Sequence, residues 1–191
     1  MHHPYIEDIL FDKVNFTEKP LTCGDYEGCD FVNCDLSNSD LSGCHFTDCR
    51  FTGCNMGMAK LMKTSFNDVK FKDCKLLGLR FDDCNATLFS ASFENCQLDL
   101  SSFYKLKLKK TLFVKCKLHE TDFTEADLTS ALFTESDLTR AIFENTILEK
   151  TDLRTAFNFS IDPSRNKVKK AKFSASGLSG LLDRFDLDIE S

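Results

Sequence analysis

The chain has 191 residues, with 24 Lys+Arg against 30 Asp+Glu, 19 Phe, 10 Cys and no Trp; its 42% apolar content is enough for one domain with a core. The net charge of −6 argues against a general nucleic-acid binder. No apolar run approaches the ~18 residues of a membrane span, and Met1-His2-His3-Pro4-Tyr5 lacks the basic and apolar regions of a secretory signal, so a cytoplasmic protein without membrane contact is expected.

From Phe11 a large apolar residue returns at every fifth position, through Phe16, Leu21, Tyr26 and Phe31, without a break to Phe81. A two-residue slip near 85–87 follows, and the pattern resumes as Leu88, Phe93, Leu98 and Phe103, running to Leu153 and giving 29 centres. A period of five matches neither the 3.6 of a helix nor the 2 of a strand, so a third geometry must bury these residues together. Two positions before most centres sits something small, such as Cys34, Ser39 and Cys44 or Ala126 and Ala131. Each pentapeptide therefore offers one large and one small inward residue and turns three polar ones outward. Phe31-Leu36-Leu41-Phe46 is followed by Phe51-Met56-Leu61-Phe66, so the order repeats after 20 residues. From Phe71 onward each set of four reads Phe-Leu-Phe-Leu, which predicts two aromatic and two aliphatic residues in every turn from Phe31 to Leu148.

In units such as Cys34-Asp35-Leu36-Ser37-Asn38 and Ala126-Asp127-Leu128-Thr129-Ser130, the chain resembles the pentapeptide-repeat proteins. The resemblance implies an all-β fold, a right-handed quadrilateral parallel β-helix of about seven coils of four pentapeptides. It would occupy residues 11–155, with residues 1–10 as an N-terminal cap and 156–191 as a C-terminal cap containing a short α-helix. Phe31, Phe51, Phe71, Phe93, Phe113 and Phe133 would then stack along one interior side. Cys34, Cys54, Cys74, Cys96 and Cys116 would form a ladder of free thiols at about 4.8 Å per rung, acting as small hydrophobes.

Past Leu153 the repeat dissolves, and Leu178, Leu181, Leu182 and Phe185 fall at i, i+3, i+4 and i+7, one helical stripe interrupted by Gly177 and Gly180. The plain reading is a cap on the last turn. The tail also resembles that of the quinolone-resistance (Qnr) branch of the family, in which a terminal helix and the last turns form a two-fold dimer; here Leu187 and Ile189 would enlarge such an interface. A homodimer through the C-terminal end is therefore a second expectation.

No active site, metal site or cofactor is expected. His2, His3, His45 and His119 stand in no motif, the carboxylates before the centres recur because that position points outward, and no glycine-rich phosphate loop occurs. Charge is uneven along the chain: net −7 over 1–59, +6 over 60–117, −7 over 118–153 and +2 over 154–191. The third stretch holds Glu120, Asp122, Glu125, Asp127, Glu135, Asp137, Glu144, Glu149 and Asp152 in under two turns. Its net charge is at least as dense as that of duplex DNA, about one per 1.7 Å. By resemblance to the Qnr branch, this acidic belt would bind DNA gyrase or topoisomerase IV as a DNA mimic, protecting the enzyme from quinolones or toxins. The alternative is a protein-protein interaction scaffold with no topoisomerase activity. The two differ in where the lysines of 60–117 fall: gathered on one side they leave another continuously acidic, whereas a ring of them breaks the mimicry.

Overall fold

The computed structural model describes residues 4–185 and 187. Among the described residues eleven strands occur in chain order, all very short: β1 (Tyr5–Glu7), β2 (Leu10–Asp12), β3 (Asp25–Glu27), β4 (Asp30–Val32), β5 (His45–Thr47), β6 (Arg50–Thr52), β7 (Ser65–Asn67), β8 (Val69–Lys72), β9 (Ala91–Glu94), β10 (Leu112–Val114) and β11 (Leu132–Thr134). They pair only in parallel, as a seven-stranded sheet β11-β10-β9-β8-β6-β4-β2 and a four-stranded sheet β1-β3-β5-β7. Partners such as Phe31↔Phe51 and Tyr26↔Phe46 lie 20 residues apart. The two remaining sides are joined by single parallel bridges, among them Asp35↔Asn55↔Lys75↔Gln97 and Arg80↔Ser102↔Asp122↔Ile142. The result is a four-sided parallel β-solenoid with one pentapeptide per side. Its sides are named here a to d after Phe31, Leu36, Leu41 and Phe46.

Between the sides the chain bends sharply, and the residue two past most centres is left-handed, for example Asn33 at φ 52°, Gly53 at 65° and Lys105 at 59°. Only there does a bend close in so few residues, which is why Asn, Asp and Gly are frequent at these corners.

Phe11, Phe31, Phe51, Phe71, Phe93, Phe113 and Phe133 stack face to face along side a, with ring centroids 4.5–5.4 Å apart. The small inward residue does more than leave room. Its hydroxyl or thiol donates to the carbonyl of a centre one turn earlier: Thr64 to Leu41 at 2.8 Å, Thr121 to Leu98 at 3.0 Å, Cys54 to Phe31 at 3.2 Å. Cys34, Cys54, Cys74, Cys96 and Cys116 repeat this on side b, all buried and unbridged. Burial pushes the Cys49 and Cys116 thiols up to about 12, so they act as neutral donors and not as nucleophiles.

Three expectations need correction. Residues 5–10 do not cover the first turn but form it, since β1 pairs with β3 and β2 with β4. Leu88 is not an inward centre: it is 49% exposed, and Phe89, at 9%, takes the inward place on side d against Phe66 and Phe81. The turn that starts at Phe71 therefore holds three aromatic centres, not two. The partner spacing there lengthens to 22, as in Phe71↔Phe93, and the two extra residues bulge through a 3₁₀ turn at Ala86–Leu88 capped by the Asn85 side chain. Finally, the C-terminal helix is 3₁₀ and not α, over Ala175–Leu181 and Asp183–Phe185. Gly177 and Gly180 explain the difference. A Cβ at Gly180 would meet the Phe159 carbonyl at 2.1 Å and one at Gly177 the Phe159 ring at 2.8 Å, so this segment lies directly on Phe159 and closes the last turn.

Candidate interaction surface

Three of every five residues face solvent, and much of the carboxylate chemistry there is committed to the fold. The carboxylate before a centre accepts the amide of the second residue ahead: Asp35 from Ser37 at 2.9 Å, Asp122 from Thr124 at 2.8 Å, Asp127 from Thr129 at 3.1 Å. The Ser37 hydroxyl and amide lower Asp35 below its ordinary value. For Asp137, burial pushes the other way but is outweighed by hydrogen bonds from Thr139, Asn158 and His119, which hold it at about 2.

The nine carboxylates of the 118–153 belt are not gathered together. By register Asp122, Glu125 and Glu144 stand on side c, Asp127 and Glu149 on d, Glu135 and Asp152 on a, and Glu120 and Asp137 on b. Most face a cation one turn away: Glu120 meets Arg140, Glu125 Lys105, Asp127 Lys109, Glu135 Lys115, and Glu144 Arg165, at 3.0–3.8 Å. Asp152 is held by Arg154 and Lys172. His119 bridges two carboxylates of side b, Asp99 at 3.0 Å and Asp137 at 2.9 Å.

The basic residues of 60–117 ring the column. Lys70 and Lys72 lie on side a, Lys75 and Lys117 on b, Lys60 and Arg80 on c, and Lys107 on d, with Lys109 and Lys110 beside it. They separate the belt from the acidic stretch before it on every side.

A feature the sequence reading passed over lies inside this ring. Of the left-handed corners described, Met58 (φ 59°) and Leu100 (φ 61°) alone bear apolar side chains. They occupy the same edge, between sides b and c, two turns apart with Gly78 between them. Met58, Leu100, Met62 and Leu77 are 60, 58, 53 and 43% exposed. The Met58 sulfur lies 2.5 Å from where a Cβ of Gly78 would be, so Met58 folds along the edge over the glycine. Beside it a shallow depression of about 260 Å³ is floored by Ala59 and Leu61 and rimmed by Lys60 and Met62. The available signal was large apolar residues at positions otherwise polar in the repeat.

At the C-terminal end Leu181 and Leu182 are half-buried, while Leu178, Phe185 and Leu187 are exposed; Ile189 lies outside the described residues. Among the described residues no cluster of His, Cys, Asp or Glu is arranged to hold a metal ion, and no helix is long and apolar enough to cross a membrane.

A parallel four-sided column with a five-residue unit, each turn touching only its neighbours, defines a repeat scaffold of the solenoid class. The family profile described as "Pentapeptide repeat region" matches residues 25–87 and 86–157, and the chain belongs to that family. No curated protein matches the chain. Among solved structures it is similar to full-length QnrB1, a plasmid-mediated fluoroquinolone resistance protein, at 20% identity and TM-score 0.43 over 96% of this chain and 100% of that one. A trypsin-treated QnrB1 variant matches at 22% identity and TM-score 0.48, covering 97% and 99% of the two chains. HetL from Nostoc sp. strain PCC 7120, involved in heterocyst differentiation regulation, matches at 17% and 0.43 over 90% and 88%.

Proposed function

We propose that this protein is a non-catalytic binding scaffold that holds another protein on the sides of its column and does not imitate DNA. The ring of basic residues on all four sides supports this reading, because a duplex mimic needs negative charge running unbroken along one side. Supercoiling by purified bacterial gyrase, titrated with the protein with and without ciprofloxacin, tests it. The expected result is unchanged supercoiling and unchanged drug-induced cleavage at micromolar protein. Inhibition, or suppressed cleavage, would overturn it.

One observation favours the second reading, a DNA mimic acting on gyrase or topoisomerase IV. The outward residues of side d from Glu7 to Asp68 include Glu7, Asp8, Asp25, Glu27, Asp48 and Asp68 but no Lys or Arg. Should gyrase respond, charge reversal at Asp25 and Glu27, compared with reversal at Glu120 and Glu149, would separate this side from the belt.

The exposed Leu178, Phe185 and Leu187 support joining two columns at their C-terminal ends. Light scattering after gel filtration is expected to give twice the chain mass, and Leu178→Glu with Phe185→Glu the monomer mass. A monomeric wild type would remove the dimer from the reading.

A further inference from the structure

Met58 and Leu100 bring little apolar burial to the fold. Both side chains are mostly exposed, and both sit at left-handed corners, where a residue with a Cβ carries a cost that Gly or Asn largely avoids. Every other such corner described is Gly or polar, so the two exceptions on one edge, with Met62 and Leu77 alongside, form an apolar strip that the fold does not use. An exposed strip of this kind marks a contact surface, and methionines let it adapt to the side chains that land on it.

The rim states what kind of partner fits. Lys60, Lys63 and Lys75 flank the strip and, among the described residues, make no ion pair within 4 Å, whereas Lys72, Lys105, Lys109 and Lys115 of the same ring are each paired. Asp82 and Asp83 nearby are held by Arg80. The strip is therefore flanked by lysines, of which Lys63 and Lys75 are the ones least committed to a carboxylate, while Lys60 stands across one turn from Asp40. Its apolar residues recur along the column at about 4.8 Å per turn, close to the ~5 Å that separates i and i+3 or i+4 on a helix.

We propose that the b–c edge from Met58 to Leu100 docks an acidic amphipathic helix of a partner protein. Its apolar stripe would lie on Met58, Leu77 and Leu100, and its carboxylates would face Lys60, Lys63 and Lys75. This rests on the reading of the column as a binding protein and names the surface and the partner.

The test is selection of displayed random 16-residue peptides on the folded protein, followed by affinity measurement against two variants. One is Met58→Asn with Leu100→Asn, which suits the corner backbone and removes the apolar strip; the other is Lys60→Glu with Lys63→Glu. The expected peptides pair Leu, Met or Phe at helical spacing with Asp and Glu, lose at least tenfold in affinity for each variant, and weaken with salt. Circular dichroism of the variants should match that of the wild type. Peptides that are enriched yet bind both variants as tightly as the wild type, or that are basic, would overturn the proposal while leaving the binding column in place. The column reading fails separately, through gyrase inhibition.

Discussion

A single residue in this fold acts through its place in the pentapeptide. The inward small position accepts Cys, Ser or Thr equally because each carries a donor for the carbonyl one turn below; Ser136 donates to Phe113 as Cys116 does to Phe93. The outward carboxylate before the centre is likewise fixed by its turn. Asp35, Asp40, Asp127, Asp137 and Asp152 are all held below their ordinary value of 3.8. Groups depressed in the folded state stabilise it above the unfolded value and lose that contribution as pH falls through the folded one. The melting temperature is therefore expected to be level from about pH 7 to 5 and to fall below about 4. Asp137→Asn keeps the acceptor for Thr139 and removes the charge, so its melting temperature should fall less steeply between about pH 4 and 2. An identical slope in the variant would show that Asp137 is not part of the effect.

Among elements, the insertion between β8 and β9 is the informative one. It ends the four-stranded sheet at β7, and it moves the second aromatic column. Before it, rings stack on the adjacent sides a and d, as Phe31–Phe51 and Phe46–Phe66; after it they stack on the opposite sides a and c, as Phe93–Phe113 and Phe103–Phe123. The turn between carries Phe71, Phe81 and Phe89 together. Phe89→Ala is expected to cost roughly 3–5 kcal/mol in chemical denaturation and Leu88→Ala under about 0.5. A larger loss at Leu88 would restore it as the inward centre. Period-five spacing made the regular turns legible because each centre has the same neighbours as the last. It could not choose between Leu88 and Phe89, since an irregular segment has no register to read. The tail misled for a related reason: the stripe from Leu178 to Phe185 fits a helix, while the demand that Gly177 and Gly180 lie on Phe159 exists only once the last turn is built.

At the scale of the whole molecule, stability is passed from turn to turn. Phe113 touches only Phe93, Phe103, Phe123 and Phe133 among the rings, so Phe113→Ala should cost about 3–5 kcal/mol and expose amides near β9 to β11 first. Equal loss of hydrogen-exchange protection at β3 and β4 would refute that locality. The alternation of charge along the chain was visible in the sequence, and so was its density. What a linear count could not display is the distribution around the column, where register sets Lys70 on one side and Lys75 on the next, closing the ring. The exposed edge at Met58 and Leu100 escaped for the same reason, because residues 42 positions apart become neighbours only through the winding.

The change of aromatic sides at the insertion also limits how such a chain can grow or shorten. Within either half, one turn is a cassette: excising residues 112–131 would join Thr111 to Leu132, and each ring would find an equivalent ring beneath it. Moving a cassette from one half to the other would set rings over leucines on sides c and d at both junctions. Duplication and loss of turns are thus open within each half and closed across the boundary, so the insertion divides one continuous column into two separate units of inheritance.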